Sequence, residues 1–587
     1  MPEIDLTVEI CGLSGDGTIA AGGLLNEAVS WTGLSVLAFD SYPAEIRGFG
    51  RCVTRARIGD REMLALGDRT HVLISLDDEQ SASRLPFLAP GATVLFDDKP
   101  PNPVAEGRSL AAHVEPGTNL IGIPFGDLAS GAAGTARGRN ITALGGFAAL
   151  FGIPPEPFVE VITRKFKPKG EKVLRDNLLS FDAGYSYARE KYADRIMDAF
   201  KGAGTTGTPE TVLMSGNVAI SRGILDAGVK LYFGYPITPA TPIMEYLAKT
   251  LPGKGGRVLQ MEDEISSIGA VLGSFFAGAR AVTATSGPGF ALMTELITHG
   301  VMAEIPAVVI NTQRGGPATG LPTKTEQSDL HAAVFGGPGD SARIVIAPTN
   351  ISECYRYTVR SFQYAEKYQT PVILLSDFFL NNRVETILPW NAGEEETADW
   401  NLYPEDEARG NYLRFQVTES GISPRAIPGM EGFTFSATGL EHTQKGLPDY
   451  DPENHMTMNE KRHRKLSIAL QDLPEPEEFS EGVGPLDVGV IAWGSTFGSA
   501  LEAVQMAQKR GEKVGALKIT SLYPYHAGTV KAFMEKCREV VIPELNYEGQ
   551  LANLIGHLCP RDPVRVNRTI GQPLSPTVIQ EKIEELL

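Results

Sequence analysis

Between Tyr232 and Thr323, four short segments carry residue types that bind or activate a ligand. They are Tyr235-Pro236-Ile237-Thr238-Pro239, Glu262-Asp263-Glu264, Thr285-Ser286-Gly287-Pro288-Gly289, and the loop from Arg314-Gly315-Gly316 to Leu321-Pro322-Thr323. Glu264 opens a run of small apolar residues with helical spacing. A carboxylate there can be held against a ligand with a perturbed pKa. Its structural alternative is an ordinary first-turn Glu favoured by the helix dipole. Arg314 and Thr323 share one glycine-rich loop, where a guanidinium and a hydroxyl can grip a carboxylate. The plainer reading of Arg314 is a surface salt bridge. Thr238 lies in a segment that its prolines hold extended, with the hydroxyl left for a ligand. Otherwise it is a strand-end Thr.

A second constellation lies near the N-terminus. An apolar strand pattern over residues 4 to 11 runs into Gly12-Leu13-Ser14-Gly15-Asp16-Gly17-Thr18, and a small-residue helix follows from Ile19 to Trp31. Strand, glycine loop and helix together present backbone N–H groups and a helix N-terminus to a phosphate. The spacing is GxxGxG, not the dinucleotide GxGxxG, so a tight turn is the competing reading. Further on, Arg47 is followed by glycines at a strand end, which suits an anionic ligand. His299, His331 and His442 are isolated, and no Ser or Cys sits in a nucleophile elbow.

These segments need a scaffold. Turn-rich pieces alternating with apolar runs predict open α/β sheets, whose strand ends collect ligands. Strands are expected at 37–40, 71–76, 93–97, 231–233, 281–285, 307–311, 371–375, 488–493, 514–519 and 540–543. Helices are expected at 142–151, 211–227, from Glu264 onward, and at 498–509. The 587 residues exceed one core. The expected division is 1–200, a linker over 201–210, a domain over 211–390, an extended connection over 391–483, and a compact domain over 484–587. The connection holds acidic runs, Glu394-Glu395-Glu396 among them, and a basic run, Lys461-Arg462-His463-Arg464-Lys465, read as a salt-bridged helix face.

Composition narrows the function. A net charge of −18 argues against nucleic acid or an anionic membrane as partner. Five scattered cysteines without a CxxC pair argue against zinc or an iron–sulfur cluster on this chain, so no metal site is assigned, and they suit a reducing, cytoplasmic compartment. No signal-peptide pattern opens the sequence, and no apolar stretch is long enough to span a membrane.

Taken together, these motifs resemble the α subunit of 2-oxoacid:ferredoxin oxidoreductases, in the form with a γ domain fused at the N-terminus. Tyr235-Pro236-Ile237-Thr238-Pro239 matches the family's signature pentapeptide. Ser286-Gly287-Pro288-Gly289, the Arg314–Thr323 loop and Glu544-x-Asn546-x-x-Gly549-Gln550 follow in the family's order. The resemblance implies a γ domain over 1–200, a thiamine diphosphate pyrimidine-binding domain over 211–390 and a transketolase C-terminal-like domain over 484–587. It implies that Glu264 bonds the aminopyrimidine ring, with Ser286, Gly287 and Pro288 beside the cofactor. Thr238 would contact the 2-oxoacid, with Tyr235, Pro236 and Ile237 around it, and Arg314 and Thr323 would hold its carboxylate or side chain. Gly15, Asp16, Gly17, Thr18 and Arg47 match a coenzyme A-binding region.

Gly15-Asp16-Gly17 also looks like the opening of a diphosphate–Mg²⁺ motif. That motif needs a later Asn, and here Asn26 comes too soon while the next is Asn102. The resemblance accordingly gives Mg²⁺, the diphosphate half-site and a [4Fe-4S] cluster to a partner β subunit, in an α–β assembly or a dimer of them. The implied reaction converts a 2-oxoacid, coenzyme A and oxidised ferredoxin into acyl-CoA, CO₂ and reduced ferredoxin. The substrate expected is 2-oxoglutarate, giving succinyl-CoA. Pyruvate or branched-chain 2-oxoacids are the alternatives, and a coenzyme A-binding acyltransferase or ligase, or a non-catalytic binding module, are readings from other classes.

Overall fold

The computed structural model describes residues 4–42, 50–99, 110–197, 199–200, 211–390, 399–480, 482 and 484–587. Arg47, the 201–210 linker and Glu394-Glu395-Glu396 lie outside them. The chain divides into two compact units, Met1–Met214 with Arg383–Pro389, and Ser215–Asn382 with Trp390–Leu587.

The first unit is built on an eight-stranded mixed sheet. Asn119–Gly122, Leu88–Phe96, Thr70–Ser75 and Asp5–Leu13 run parallel in that order. Arg51–Gly59, absent from the expected strands, pairs antiparallel with both Asp5–Leu13 and Ser35–Ser41. Its register sets Arg55 opposite Glu9, whose buried carboxylate also holds Arg84, and Arg57 reaches Asp5. Two short strands, Val384–Ile387 and Val212–Ser215, complete that end of the sheet. The start of the expected helix 211–227 is therefore extended, and Ser215 caps the helix Gly216–Asp226.

Side chains alternate across the pleat. Val8, Ile10, Val72 and Ile74 enter a large core with the helices Thr18–Ser30, Arg139–Phe151, Pro155–Phe166 and Glu171–Lys191. Cys11 and Leu73, on the opposite face, belong to a smaller cluster. Two of these helices approach closely at glycines: a Cβ on Gly145 would overlap the Phe181 carbonyl, and one on Gly184 the Thr142 carbonyl.

The second unit holds two sheets. In the seven-stranded one, Ile344–Ile346, Pro371–Asp377, Ala307–Gln313, Ala281–Thr285, Leu231–Gly234 and Arg257–Gln260 are parallel neighbours in that order. Their C-terminal ends thus share one edge. The order reverses between Leu231–Gly234 and Ala281–Thr285, which makes that edge the natural crevice of the sheet. Near-unbroken apolar runs such as Val308-Val309-Ile310 suit strands covered on both faces. The edge strand Ser521–Tyr523, antiparallel to Ile344–Ile346, comes from the C-terminal part of the chain. There a second sheet runs Glu477–Ser480, Val514–Lys518, Leu486–Ala492, Cys537–Glu544 and Val564–Asn567.

The stretch expected as an extended connection is irregular from residue 399, with a three-residue apolar cluster of Tyr412, Ala426 and Phe433. It then forms the helix Pro452–Ala469. The basic run lies on this helix, but Lys461, Arg462 and Lys465 are buried, not solvated. Lys461 and Lys465 both pair with buried Glu304, whose main-chain carbonyl accepts a hydrogen bond from Arg414 Nη2. These cations hold the Glu304 carboxyl far below the carboxylate range, against the opposing effect of burial.

Candidate functional site

Each chemical segment of the second unit follows a parallel strand. Tyr235–Pro239 leaves Leu231–Gly234, Asp263-Glu264 follows Arg257–Gln260, Ser286 follows Ala281–Thr285, and Arg314 follows Ala307–Gln313. The fold therefore brings the residues predicted from 235 to 323 to a single sheet edge.

Glu264 is the first residue of the helix Glu264–Phe276. Asp263 caps that helix: its carboxylate accepts from Ser266 N at 2.7 Å, and the Ser266 side chain returns the bond. This capping box fixes the turn and directs Glu264 inward, to 6% exposure. A Cβ on Gly289 would overlap Glu264 Oε1 and Thr285 Oγ1, so the carboxylate lies against the bare backbone that opens the helix Gly287–Met302. Burial, with Asp263 alongside, holds the Glu264 carboxyl above its usual range. Ser286 is buried, and its hydroxyl donates to Thr312 O at 2.8 Å, which fixes the turn into Gly287-Pro288-Gly289.

Arg314 ties two of the segments together. Nη1 donates to Thr238 O at 2.7 Å and Nη2 to Thr319 O at 3.1 Å, while Nε is buried without a partner. The guanidinium thus braces the pentapeptide against its own loop and retains donors for an anion. The loop folds back through Gly315 N to Lys324 O and Leu321 N to Gly315 O. At Gly320, with φ +51°, a Cβ would overlap Gly315 O, so the turn requires glycine. Thr323 is half-buried on the returning strand of this loop, and Thr238 and Tyr235 are exposed, Tyr235 at 43%.

Asp329 belongs to the site and has no motif to announce it. It stands at the N-cap position of the helix Leu330–Phe335 but does not cap it. Its carboxylate turns inward instead, accepting from Asn311 Nδ2 at 3.1 Å and lying where a Cβ on Gly287 would fall. Burial, reinforced by Glu326 and opposed by Asn311 and Arg314, pushes it up to about 6. Two carboxylates from different elements therefore converge on the two glycines of Gly287-Pro288-Gly289. The available signal was an Asp at a cap position with no further acidic residue in the first turn.

Glu544–Gln550 supports this edge from behind. Asn546 Nδ2 donates to Gln327 O and Gln550 Nε2 to Ser328 O, while Gln550 Oε1 accepts from His331 N. Glu544 accepts from Leu551 N and Ala552 N. The motif is a buttress for residues 327–331.

In the first unit, Gly15 and Gly17 both take positive φ in the loop entering the helix Thr18–Ser30. Asp16 faces inward: it accepts from Leu13 N at 2.9 Å and lies 3.7 Å from Arg139. Asn140 Nδ2 reaches Gly17 O at 3.2 Å. Asp16 therefore shapes the loop, leaving the glycine backbone for any ligand. Thr18 is 2% exposed and its hydroxyl has no partner. Among the described residues, no group of three His, Cys, Asp or Glu could hold a metal ion, and no helix is long and apolar enough to cross a membrane.

Three family models match. "Pyruvate ferredoxin/flavodoxin oxidoreductase" covers residues 7–187, "Pyruvate flavodoxin/ferredoxin oxidoreductase, thiamine diP-bdg" 222–461, and "Pyruvate:ferredoxin oxidoreductase core domain II" 487–573. The 2-oxoglutarate oxidoreductase subunit KorA of Mycobacterium tuberculosis is 32% identical, over 94% of this chain and 87% of that one. The α subunit of 2-oxoacid:ferredoxin oxidoreductase 2 of Aeropyrum pernix is 29% identical, over 100% and 98%. A solved structure of the 2-oxoglutarate:ferredoxin oxidoreductase of Magnetococcus marinus, with 2-oxoglutarate, coenzyme A and succinyl-CoA bound, matches with a TM-score of 0.92 and 36% identity, over 99% of each chain.

Proposed function

This chain belongs to the 2-oxoacid:ferredoxin oxidoreductase family, as an α subunit with a fused γ-like domain, and from that premise we propose how its own residues serve the reaction. Its activity is the oxidative decarboxylation of a 2-oxoacid, 2-oxoglutarate in our reading, with coenzyme A and ferredoxin. The observation that carries the reading is the convergence of Glu264 on Gly289 and of Arg314 on Thr238 at one sheet edge.

Thiamine diphosphate fits this edge by its ring end. Glu264 offers an inward carboxylate with a raised affinity for a proton, set against the bare backbone of Gly289, where any Cβ would displace it. When bound, the cofactor supplies the carbanion chemistry of decarboxylation. The chain's residues hold and orient. Glu264 bonds a ring nitrogen and exchanges a proton there. Ser286, Gly287 and Pro288 bound the ring. Arg314 places its remaining donors, Nε included, toward the 2-oxoacid carboxylate, and the hydroxyls of Thr238 and Thr323 complete that contact, beside Tyr235, Pro236 and Ile237. Coenzyme A meets the Gly15–Thr18 loop of the first unit, with Arg47.

A β subunit carrying Mg²⁺, the diphosphate end of the cofactor and a [4Fe-4S] cluster completes the site. What supports a partner subunit here is the set of exposed apolar side chains on the elements that carry the site, Tyr235, Leu259, Ile265, Leu292 and Leu321. The test is reduction of ferredoxin or a viologen by the α–β complex with each 2-oxoacid. Turnover with 2-oxoglutarate well above that with pyruvate is expected, and equal rates would refute the substrate assignment.

A further inference from the structure

The helix Glu264–Phe276 carries no charge after its first residue, and its neighbour Gly287–Met302 carries only Glu295 and the weak base His299. A helix that is apolar all round belongs in an interior. Both nevertheless show a bare outer face: Ile265 is 45% and Leu292 51% exposed, and Gly273 is exposed. The two helices lie side by side, since a Cβ on Gly269 would stand 3.7 Å from Leu296 and one on Gly300 2.9 Å from Leu272. Away from Glu264 the face deepens into an apolar groove of about 330 Å³, lined by Leu272, Gly273, Phe276, Leu296 and His299, with Ala437 and Thr438 from the irregular segment. The glycines here are a separate observation. Glycine inside a helix costs stability relative to alanine. Gly145 and Gly184 are required by close contacts within the chain, but a Cβ on Gly273 would meet nothing within 4 Å, and one on Gly269 only an ordinary contact. The space kept clear lies outside this chain.

We propose that this groove is an anchor pocket for the β subunit, filled by one aromatic side chain with a polar tip, a Tyr or a Trp of that subunit. The inference rests on the shared-site reading given above. The face begins at Ile265 and Leu292, which already belong to the surface assigned to the β subunit, and the groove continues it. Interface anchors are drawn mainly from Trp, Tyr and Arg. No carboxylate lines the groove, so an arginine would be buried there without a counter-ion. Tyr and Trp bring a large apolar body and need one hydrogen-bond partner for the tip. The His299 ring, whose side chain makes no hydrogen bond among the described residues, supplies it. A second copy of this chain is the other occupant of such a face. It would set one net charge of −18 against another and compete with the β subunit for Ile265 and Leu292.

The experiment uses the full chain with its β subunit and the variant Gly273→Leu, which fills the groove at a helix position where the chain's own atoms leave room. A thermal melt of the variant chain checks that it folds, and Gly273→Ala, one methyl in open space, replaces it if leucine disturbs the fold. The Kd for the β subunit, measured by sedimentation, is expected to rise about tenfold or more. At saturating β subunit, viologen reduction and the KM for 2-oxoglutarate should match wild type. An unchanged Kd overturns the inference. So does a variant that binds the β subunit normally but loses an association of the chain with itself, which would give the groove to a second copy. Failure of the functional reading is distinct: the wild-type complex would then turn over no 2-oxoacid, whereas the sedimentation measurement needs no turnover.

Discussion

Glu264 and Asp329 approach the same turn from opposite sides, and each is held above the ordinary carboxylate range. Glu264→Gln keeps the size and removes proton exchange, so the α–β complex should lose about 100-fold or more in kcat, measured by viologen reduction. Asp329 differs because it touches Gly287 and Asn311 and acts through them. The groups facing it are Arg314, Glu326 and the opening of the helix Gly287–Met302. With a folded value of about 6 against 3.8, it stays protonated until the pH rises through about 6, and the stability from that raised value is lost over the same rise. Its charge, present above pH about 6, balances Arg314. Activity should therefore fall as the pH drops through about 6, and Asp329→Asn should remove that limb from the pH–rate profile while thiamine binding persists. A limb unchanged in the variant would exclude Asp329. Tyr235–Pro239 and Arg314-Gly315-Gly316 were legible in the sequence because prolines and glycines punctuate them. Asp329 was not, because a single Asp before an apolar run reads as a helix cap, and only the fold turns its side chain the other way.

At the scale of elements, the turn between Ala281–Thr285 and Gly287–Met302 works because it lacks side chains. Gly289→Ala would set a methyl where the Glu264 carboxylate lies. Thiamine affinity and activity should both fall by at least tenfold, a shift of about 1.4 kcal/mol, checked by calorimetric titration of the complex. The helix Pro452–Ala469 poses a different problem. Its lysines read as a salt-bridged face, and Lys461 and Lys465 do form ion pairs, but buried and with Glu304, more than 150 residues earlier. No local pattern encodes such a partner. Glu304→Gln leaves two buried ammonium groups uncompensated and should cost about 3 kcal/mol or more. It would be detected as faster proteolysis of the segment from 411 to 470. Because the folded value of Glu304 is depressed, its contribution is present above the ordinary 4.5 and is lost as the pH falls below it. The strand Arg51–Gly59 escaped prediction for a related reason: its arginines interrupt the apolar alternation, and their partners Glu9 and Asp5 sit on another strand.

At the scale of the whole molecule, the expected fold class agrees with three α/β sheets and with the three family models along the chain. The family resemblance implied half of a shared catalytic centre, and the exposed apolar side chains on the elements that carry the site suit a partner there. The purified chain alone should reduce no viologen with any 2-oxoacid, and adding a β subunit should restore turnover. Activity without it would refute the shared centre. The strand Ser521–Tyr523, which crosses from the C-terminal part of the chain to the edge of the seven-stranded sheet, bears on how this half hangs together. It acts as a mechanical staple. A protease cutting at the exposed Gln471 would sever the backbone and release nothing, because the downstream piece stays clasped to the upstream one by its own ribbon of hydrogen bonds. Heat should accordingly melt both pieces in one step, nicked or whole.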